Sequence, residues 1–147
     1  MTSTNIPVRC EISSSDPSAA LCITVLLDGE PVFTSNSIQQ PQIVEFSVPD
    51  DNEVAHVIQW QLSGKTSAHT CIDEQSNIVS DALIHIRNIA IDNLNIDQIM
   101  FENAVYNHNF NGNGDAIDDQ FFGTVGCNCT VTLKFMSPFY VWLLEHM

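Results

Sequence analysis

Alternating hydrophobic and polar residues recur along the whole chain. Residues 42–48, 54–62 and 131–135 each place apolar side chains at every second position. Because successive side chains of an extended strand point to opposite faces, this pattern predicts strands with one buried and one exposed face. Residues 21–27 and 83–91 are apolar at neighbouring positions as well, which is typical of strands covered on both faces.

Turn-forming residues separate these apolar segments. The sequence DGEP at residues 28–31 predicts a β-hairpin, because glycine readily adopts the positive φ that tight hairpin turns need. The sequence PDDN at residues 49–52 predicts a second turn. The spacing of Ile99, Met100 and Val105 favours a helix of about one or two turns within residues 97–106.

The pattern as a whole predicts an all-β protein. About eight to ten short strands separated by turns are typical of a single antiparallel β-sandwich or jelly roll. The length of 147 residues suits one core of ordinary size. We expect residues 1–147 to form this one domain, with residues 1–5 mobile and residues 138–147 as an apolar C-terminal segment.

Composition narrows the range of partners. Eighteen Asp and Glu residues outnumber four Lys and Arg residues, which gives a formal net charge of −14 at pH 7. So acidic a chain is poorly suited to a nucleic-acid backbone, and no nucleic-acid partner is expected. No run approaches the ~18 apolar residues of a membrane-spanning helix, and the opening residues lack the basic and apolar parts of a signal peptide. We therefore expect synthesis in the cytoplasm, no membrane partner, and five cysteines that remain free thiols.

The most unusual stretch is a polar loop rich in Asn, Asp and Gly at residues 106–119. Five of its residues match positions 1, 3, 5, 6 and 7 of an EF-hand loop, in which oxygen ligands alternate and glycine makes the sharp bend. The match is partial, because position 1 carries Asn109 instead of aspartate and position 12 carries Gln120 instead of glutamate. The pattern favours turns capped by their own amide side chains, with a weak calcium site as the alternative. The candidate ligands of that site are Asn109, Asn111, Asn113, Asp115, Asp118 and Asp119.

The same loop carries the chemistry of a carbohydrate site. Such sites combine carboxylates and amides, which hydrogen-bond sugar hydroxyls, with an aromatic ring that stacks on the sugar. Tyr106, His108, Phe121 and Phe122 lie near the acidic residues and offer the rings. The alternative is that Phe121 and Phe122, which precede Gly123, anchor the edge of the core.

A zinc site is a weaker prediction. Cys127 and Cys129 offer two thiolates, with His108 or His69 as further ligands. Their spacing is one residue shorter than the common Cys-x₂-Cys, and no second pair follows. Free thiols are therefore favoured.

No residue pattern supports catalysis. The chain has no Gly-x-Ser-x-Gly sequence, and His56 and His85 lie within strand patterns, where a structural role is favoured. Asp118 and Asp119 are adjacent, so their side chains point apart in an extended segment and cannot share a proton. We expect that the protein is not an enzyme.

The C-terminal segment is strongly apolar where chain ends are usually polar and frayed. We expect it either to form the last strand of the sandwich or to dock on a neighbouring subunit. If it docks, deleting the residues after Ser137 should abolish assembly and leave a folded monomer. The candidate partner-binding residues are Phe139, Tyr140, Trp142, Leu143 and Leu144.

Two groups of motifs resemble known families. The sequence GCN at residues 126–128, the Val-x-Leu-x-Phe strand at 131–135 and the sequence PFYVWLLE at 138–145 resemble small acidic β-rich proteins of large tailed bacteriophages, including cyanophages. The sequence LDG at residues 27–29 and the Val-x-Phe-x-Val run at 44–48 look like calcium-dependent carbohydrate-binding modules of the xylan-binding type.

The first resemblance implies a non-enzymatic structural or accessory protein of a capsid or tail. Such a protein would be made in the host cytoplasm, reside in the virion, and assemble with other virion proteins or as a homo-oligomer through sandwich surfaces and the C-terminal segment. The second resemblance implies the alternative function, a calcium-assisted carbohydrate-binding module that uses the loop at residues 107–119 to hold a glycan.

Overall fold

The computed structural model describes residues 5–16, 18–51, 53–66, 70–109 and 114–147. Within these residues, strands form two large antiparallel sheets and a separate two-stranded ribbon, and two short helices cover parts of the core. In chain order the elements are β1 (Asn5–Ser14), β2 (Cys22–Leu27), β3 (Glu30–Ser35), β4 (Gln42–Pro49), β5 (Ala55–Ser63), β6 (Thr70–Ile72), β7 (Ile78–Asp81), β8 (Ile84–Ile91), β9 (Leu94–Asn95), α1 (Asp97–Asn103), β10 (Val105–His108), β11 (Ile117–Gln120), β12 (Thr124–Val125), β13 (Cys129–Met136) and α2 (Phe139–Glu145).

The two large sheets form a β-sandwich, as the alternation predicts. One sheet has the strand order β12-β8-β1-β4, with β9 paired to β8, and the other has the order β11-β10-β13-β5-β2-β3. The ribbon consists of β6 and β7. Apolar side chains from both large sheets meet in one core, which includes Val8 and Ile86 from the first sheet and Trp60 and Leu133 from the second. The predicted all-β fold class is confirmed.

Burial follows the alternation of the sequence. In β5 every second residue from His56 to Leu62 is buried, and in β13 every second residue from Val131 to Phe135 is buried. These two neighbouring strands are confirmed as half-buried. The segments predicted to be covered on both faces correspond to β2 and β8, whose outward residues are half-buried except for Arg87 and Asn88 in β8.

The predicted hairpin joins β2 to β3. Asp28 and Gly29 both have positive φ, at 50° and 85°, which matches the twist that a two-residue hairpin turn requires. The Asp28 carboxylate also accepts hydrogen bonds from the backbone N–H of Val57 and from Nδ1 of His56, both at 2.8 Å. These bonds fasten the turn to β5 and give buried His56 the structural role predicted for it.

The predicted short helix is also present. α1 ends at Asn103, and Tyr106 lies in β10, so the helix is shorter than the predicted segment. Asp97 at its start accepts hydrogen bonds from the backbone N–H groups of Asn88 and Ile89, at 3.0 and 2.9 Å. This carboxylate therefore joins α1 to β8.

The C-terminal segment forms α2, so the prediction of a last strand is wrong. Phe139, Trp142 and Leu143 are buried, and their spacing of i, i+3 and i+4 gives a helix one apolar face. The ring centroids of Phe139 and Trp142 lie 6.0 and 6.1 Å from that of Phe135 in β13. A strand would have sent Phe139 and Trp142 to opposite faces, which explains why the segment is helical.

Three of the five predicted partner-binding residues therefore belong to the core. Tyr140 and Leu144 are the members of that set that are exposed. Deleting the residues after Ser137 would remove three core side chains, so we now expect this deletion to destabilise the fold rather than leave a folded monomer. Any docking by α2 has to use its outer face.

The described residues contain no helix long and apolar enough to cross a membrane. Cys10, Cys22, Cys127 and Cys129 are free thiols, and the side chain of Cys71 lies outside the described part of the chain. Residues 1–4 also lie outside it, whereas Asn5 begins β1.

Candidate functional site

The predicted polar loop lies at the edge of the six-stranded sheet, between β10 and β11. In the register of these strands Tyr106 lies opposite Asp119, and Asn107 lies opposite Asp118. The backbone N–H of Gly114 donates to the carbonyl of Asn109 at 3.1 Å, which closes the base of the connecting loop. The hairpin thus brings aromatic, amide and acidic residues to one edge of the fold.

The two adjacent carboxylates point to different sides of β11, as the sequence predicts. Asp118 accepts a hydrogen bond from Nδ2 of Asn107 at 2.8 Å, whereas Oδ2 of Asp119 accepts one from Nε2 of His108 at 2.6 Å. A single ion cannot bind both carboxylates in this arrangement.

The remaining predicted ligands do not supply a cation site within the described residues. Asn111 and Asn113 lie outside the described part of the chain, and Asp115 is exposed in the loop. Among the residues that the structure describes, no group of three His, Cys, Asp or Glu side chains is placed to hold a metal ion. The calcium site remains a prediction from the sequence.

A cavity of about 310 Å³ opens beside β11, and we call it the Phe122 pocket. It is lined by Tyr106, Asp119, Gln120, Phe122 and Thr124. Two of these, Tyr106 and Phe122, carry aromatic rings, and the other three carry polar oxygen atoms. The pocket therefore combines the two kinds of group that the sequence predicts for a carbohydrate site.

The two consecutive phenylalanines have opposite environments. Phe121 is 1% exposed and belongs to the core, which is the anchoring role considered for it in the sequence, whereas Phe122 is 65% exposed. The ring of Phe122 packs against that of Phe101, with 6.0 Å between centroids, and this contact helps to orient the exposed ring. Gly123 follows with a φ of 92°, a conformation that favours glycine, and its carbonyl accepts the N–H of Ile86 at 2.8 Å. This turn fixes the point at which the exposed ring leaves the core.

The polar groups of the Phe122 pocket are oriented by bonds to neighbouring residues. Nε2 of Gln120 donates to the carbonyl of Phe101 at 2.7 Å, which leaves Oε1 to accept from a ligand. Asp119 shares one oxygen with His108, and a carboxylate can accept further hydrogen bonds. Both side chains line the cavity, and both have oxygen atoms that can accept hydrogen bonds.

The hydroxyl of Thr124, which also lines the Phe122 pocket, is oriented by a hydrogen bond as well. Its Oγ1 lies 2.9 Å from Nδ1 of His85, and the guanidinium of Arg87 lies 3.2 Å from the same nitrogen. Burial lowers the pKa of His85, and the charge of Arg87 lowers it further, so the imidazole is neutral at pH 7. Because arginine only donates, Nδ1 is an acceptor, and the Thr124 hydroxyl donates its proton to it. The hydroxyl oxygen can then accept from a ligand.

A second groove runs across the outer face of the same sheet, and we call it the sheet-face groove. It has a volume of about 390 Å³ and contains amide, hydroxyl, carboxylate and ammonium groups. Its lining residues are Val57, Gln59, Asn103, Val105, Asn107, Asp118, Thr132 and Lys134. No aromatic ring is among these lining residues, so the groove lacks a stacking surface.

No family model and no curated protein matches the sequence. Solved structures give a likeness in fold. One is the selenomethionine form of vCBM60, from work on circular permutation as a link between two families of calcium-dependent carbohydrate-binding modules. The two are 11% identical, with 87% of this chain and 89% of that chain covered and a TM-score of 0.53. The vCBM60 complex with galactobiose is 10% identical over 88% of this chain and 97% of that chain, with a TM-score of 0.48.

The first of these likenesses confirms the β-sandwich fold. It supports, for the fold alone, the general likeness to calcium-dependent carbohydrate-binding modules. The resemblance to phage proteins stays a prediction. The same holds for the prediction that the protein is not an enzyme.

Behind the Phe122 pocket, the buried side chain of Tyr106 lies beside the half-buried thiols of Cys127 and Cys129. The hydroxyl of Tyr106 accepts the N–H of Gly126 at 3.4 Å. Burial raises the pKa of Tyr106, and the two thiols raise it further. Burial also raises the pKa of Cys129 to about 12, so deprotonating this thiol costs more than it does for an exposed cysteine. His69, the other histidine of the zinc prediction, lies outside the described residues.

The raised pKa values of the Cys10 and Cys129 thiols predict a loss of stability in alkali. Burial raises the pKa of Cys10 to about 11 and that of Cys129 to about 12, whereas an unfolded cysteine titrates near about 8.5. Between these values the unfolded chain loses thiol protons that the folded chain keeps. The free energy of unfolding should therefore fall above about pH 8.5, by up to about 1.4 kcal/mol per pH unit for each thiol.

Urea unfolding between pH 8 and pH 10.5 checks this expectation. Cys129→Ser should make the fall of the free energy of unfolding with pH less steep, by the contribution of one thiol. Cys22→Ser, which changes a half-buried thiol in β2, serves as the matched control. A free energy of unfolding that stays level or rises over this range would contradict the account.

Proposed function

We propose that the protein binds neutral glycans in the Phe122 pocket. The observation that carries the proposal is a single exposed aromatic ring, Phe122, placed beside three oriented hydrogen-bond acceptors. Aromatic faces pack against the apolar face of a sugar ring, while side-chain oxygens accept hydrogen bonds from its hydroxyls. Both contacts are available within one cavity.

The acceptors favour a neutral ligand that donates hydrogen bonds. The Asp119 carboxylate has no hydrogen-bond donor, and the donors of Gln120 and Thr124 already bond to neighbouring residues. All three side chains therefore offer oxygen atoms that accept. Sugar hydroxyls can donate to each of them. An anionic ligand would meet the carboxylate of Asp119 and the net charge of −14, which disfavours uronic acids and sulfated glycans.

The size of the pocket suits a short stretch of glycan. Its volume of about 310 Å³ is at the lower end of the range for small-molecule sites, which is about 300–1,000 Å³. The pocket lies beside an edge strand of the sheet. We therefore expect a few sugar units to be held at the edge of the fold. The fold likeness to a protein described among calcium-dependent carbohydrate-binding modules supports this proposal.

Phe122→Ala should weaken glycan binding by about tenfold or more, because it removes the stacking surface and leaves the polar groups in place. Isothermal titration with neutral galacto-, xylo- and cello-oligosaccharides measures the effect. Gln59→Ala is the control, because it alters the sheet-face groove and leaves the Phe122 pocket intact. The proposal fails if the wild type binds none of these sugars. It also fails if Gln59→Ala weakens binding while Phe122→Ala does not.

The same titrations carried out in calcium and in EDTA test the calcium prediction separately. Binding that persists in EDTA would assign recognition to the side chains of the Phe122 pocket alone. Binding that requires calcium, together with a calcium-dependent rise in thermal stability, would support a cation site in the polar loop at residues 107–119.

A second candidate function is docking on another protein through α2. The specific observation is the outer face of this helix, where Val141 and Leu144 are exposed and Met147 follows at the chain end. Tyr140 is exposed too, and a hydrogen bond with Asp92 raises the pKa of its phenol. Exposed apolar side chains grouped in this way favour a binding surface. The virion role predicted from the sequence would make the partner another protein of the particle.

A further inference from the structure

A cavity lies beside α2, away from the Phe122 pocket. It has a volume of about 620 Å³ and is bounded by the end of β13, the outer side of α2 and the turn before β5. Its apolar lining comes from Met136, Val141 and Trp142, and its charged lining comes from Glu53 and Glu145. We call it the α2 cavity.

The walls of the α2 cavity are held by hydrogen bonds to the backbone. The N–H of Ser137 donates to the carbonyl of Val54 at 2.9 Å, and the N–H of Glu53 donates to the carbonyl of Ser137 at 2.8 Å. The carboxylate of Asp50 accepts the first helical N–H of α2, that of Phe139, at 2.8 Å. These bonds fix the backbone that borders the cavity.

Glu53 occupies an unusual position for its residue type. Its φ is 57°, in the left-handed region that glycine and asparagine adopt at lower cost. The backbone therefore gives no reason for glutamate at this position. The side chain instead places a carboxylate on the wall of an apolar cavity.

Within the described residues, no lysine or arginine forms an ion pair with Glu53 or Glu145. All four basic residues lie in the described part of the structure, and each is engaged or placed elsewhere. Lys65 pairs with Asp81, Arg9 with Glu45, Arg87 lies beside His85, and Lys134 lines the sheet-face groove. The cavity thus presents two uncompensated negative charges around an apolar floor.

We infer that the α2 cavity binds a basic amphipathic segment of a partner protein. An apolar side chain of the segment packs against Met136, Val141 and Trp142, while its lysine or arginine side chains pair with Glu53 and Glu145. This inference rests on the proposed docking role of α2 and adds the chemistry of the partner. It is independent of glycan binding.

Charge complementarity favours a different protein over a second copy of this chain. Two copies would each carry a net charge of −14, and Lys65 is only 4% exposed and already paired. A second copy therefore has few cations to offer to Glu53 and Glu145. A basic partner gains attraction from the whole acidic surface as well as from the cavity.

The direct test is fluorescence anisotropy of a labelled peptide that alternates lysine with leucine, titrated with the full-length protein. Matched peptides replace lysine with glutamate or leucine with serine. Glu53→Gln/Glu145→Gln should weaken binding of the lysine and leucine peptide by about tenfold. The control is Glu74→Gln/Glu102→Gln, which removes the same charge from exposed positions on the β6–β7 turn and on α1.

The inference is supported if the protein binds the lysine and leucine peptide but neither matched peptide, and if only Glu53→Gln/Glu145→Gln weakens this binding. Equal weakening by both double variants would overturn it, since the attraction would then come from net charge. Sedimentation of the wild type and of Leu144→Ser separates this inference from the docking proposal. If the wild type self-associates, Leu144→Ser abolishes this self-association, and no peptide binds, docking by α2 would be supported and the inference of a basic partner would be overturned.

Discussion

Replacing Phe121 with alanine should lower the free energy of unfolding by about 3–5 kcal/mol. The ring is 1% exposed and packs near Phe101, with 6.5 Å between centroids, in the core beneath α1 and β11. Removing it loses the transfer free energy of a large apolar side chain and leaves a cavity that its neighbours fill only in part. Urea unfolding followed by tryptophan fluorescence measures the change.

The adjacent substitution Phe122→Ala is the matched control for this prediction. It removes the same ring from a site that is 65% exposed, so the free energy of unfolding should change by only about 0.5 kcal/mol. The two variants should therefore differ in their effects: Phe121→Ala should lower stability, and Phe122→Ala should weaken glycan binding. Equal losses of stability in the two variants would contradict the assignment of Phe122 to a binding surface.

Lys65→Met should lower the free energy of unfolding by about 3–5 kcal/mol. Nζ of Lys65 lies 2.6 Å from the Asp81 carboxylate and donates to the carbonyls of Ala82 at 2.6 Å and Gly126 at 2.8 Å. Methionine fills a similar volume but offers no donor, so it leaves three buried or half-buried acceptors without their partner. The loss should exceed that of an ordinary surface substitution.

Lys134→Met provides the comparison for Lys65→Met. Lys134 is exposed on the outer face of β13, and its replacement should change the free energy of unfolding by only about 0.5 kcal/mol. The same urea unfolding experiment measures both variants. If Lys65→Met were as stable as Lys134→Met, the ammonium would not be holding the ends of β7, β8 and β12 together as the structure indicates.

Local patterns in the sequence predict much of the fold. Alternation in β5 and β13 predicts which side chains are buried because a strand has only two faces. The hairpin at Asp28 and Gly29 is predicted because few residues accept positive φ. The opposed directions of Asp118 and Asp119 follow from the same period-two geometry.

Features that depend on long-range contacts are harder to predict. The sequence does not show that Lys65 is buried, because its three acceptors come from residues 16 to 61 positions away. The C-terminal segment fits a strand by composition, and the i, i+3, i+4 spacing of Phe139, Trp142 and Leu143 is the signal that could have identified α2.

The candidate site is predicted in its chemistry and only partly in its residues. The predicted rings are Tyr106, His108, Phe121 and Phe122, and of the two phenylalanines the structure exposes Phe122 and buries Phe121. Which of two adjacent phenylalanines faces solvent depends on the turn at Gly123 and on its bond to β8. Gln120 and Thr124 join the site only through pairing with distant strands, which the sequence does not display.

Chemical-shift mapping of the ¹⁵N-labelled protein with a neutral oligosaccharide tests the central claim most directly. The account predicts that the amide signals of Asp119, Gln120, Phe122 and Thr124 shift progressively and saturate, while those of the sheet-face groove and α2 do not move. Shifts confined to the groove or to α2, or no shifts with galacto-, xylo- or cello-oligosaccharides, would contradict it.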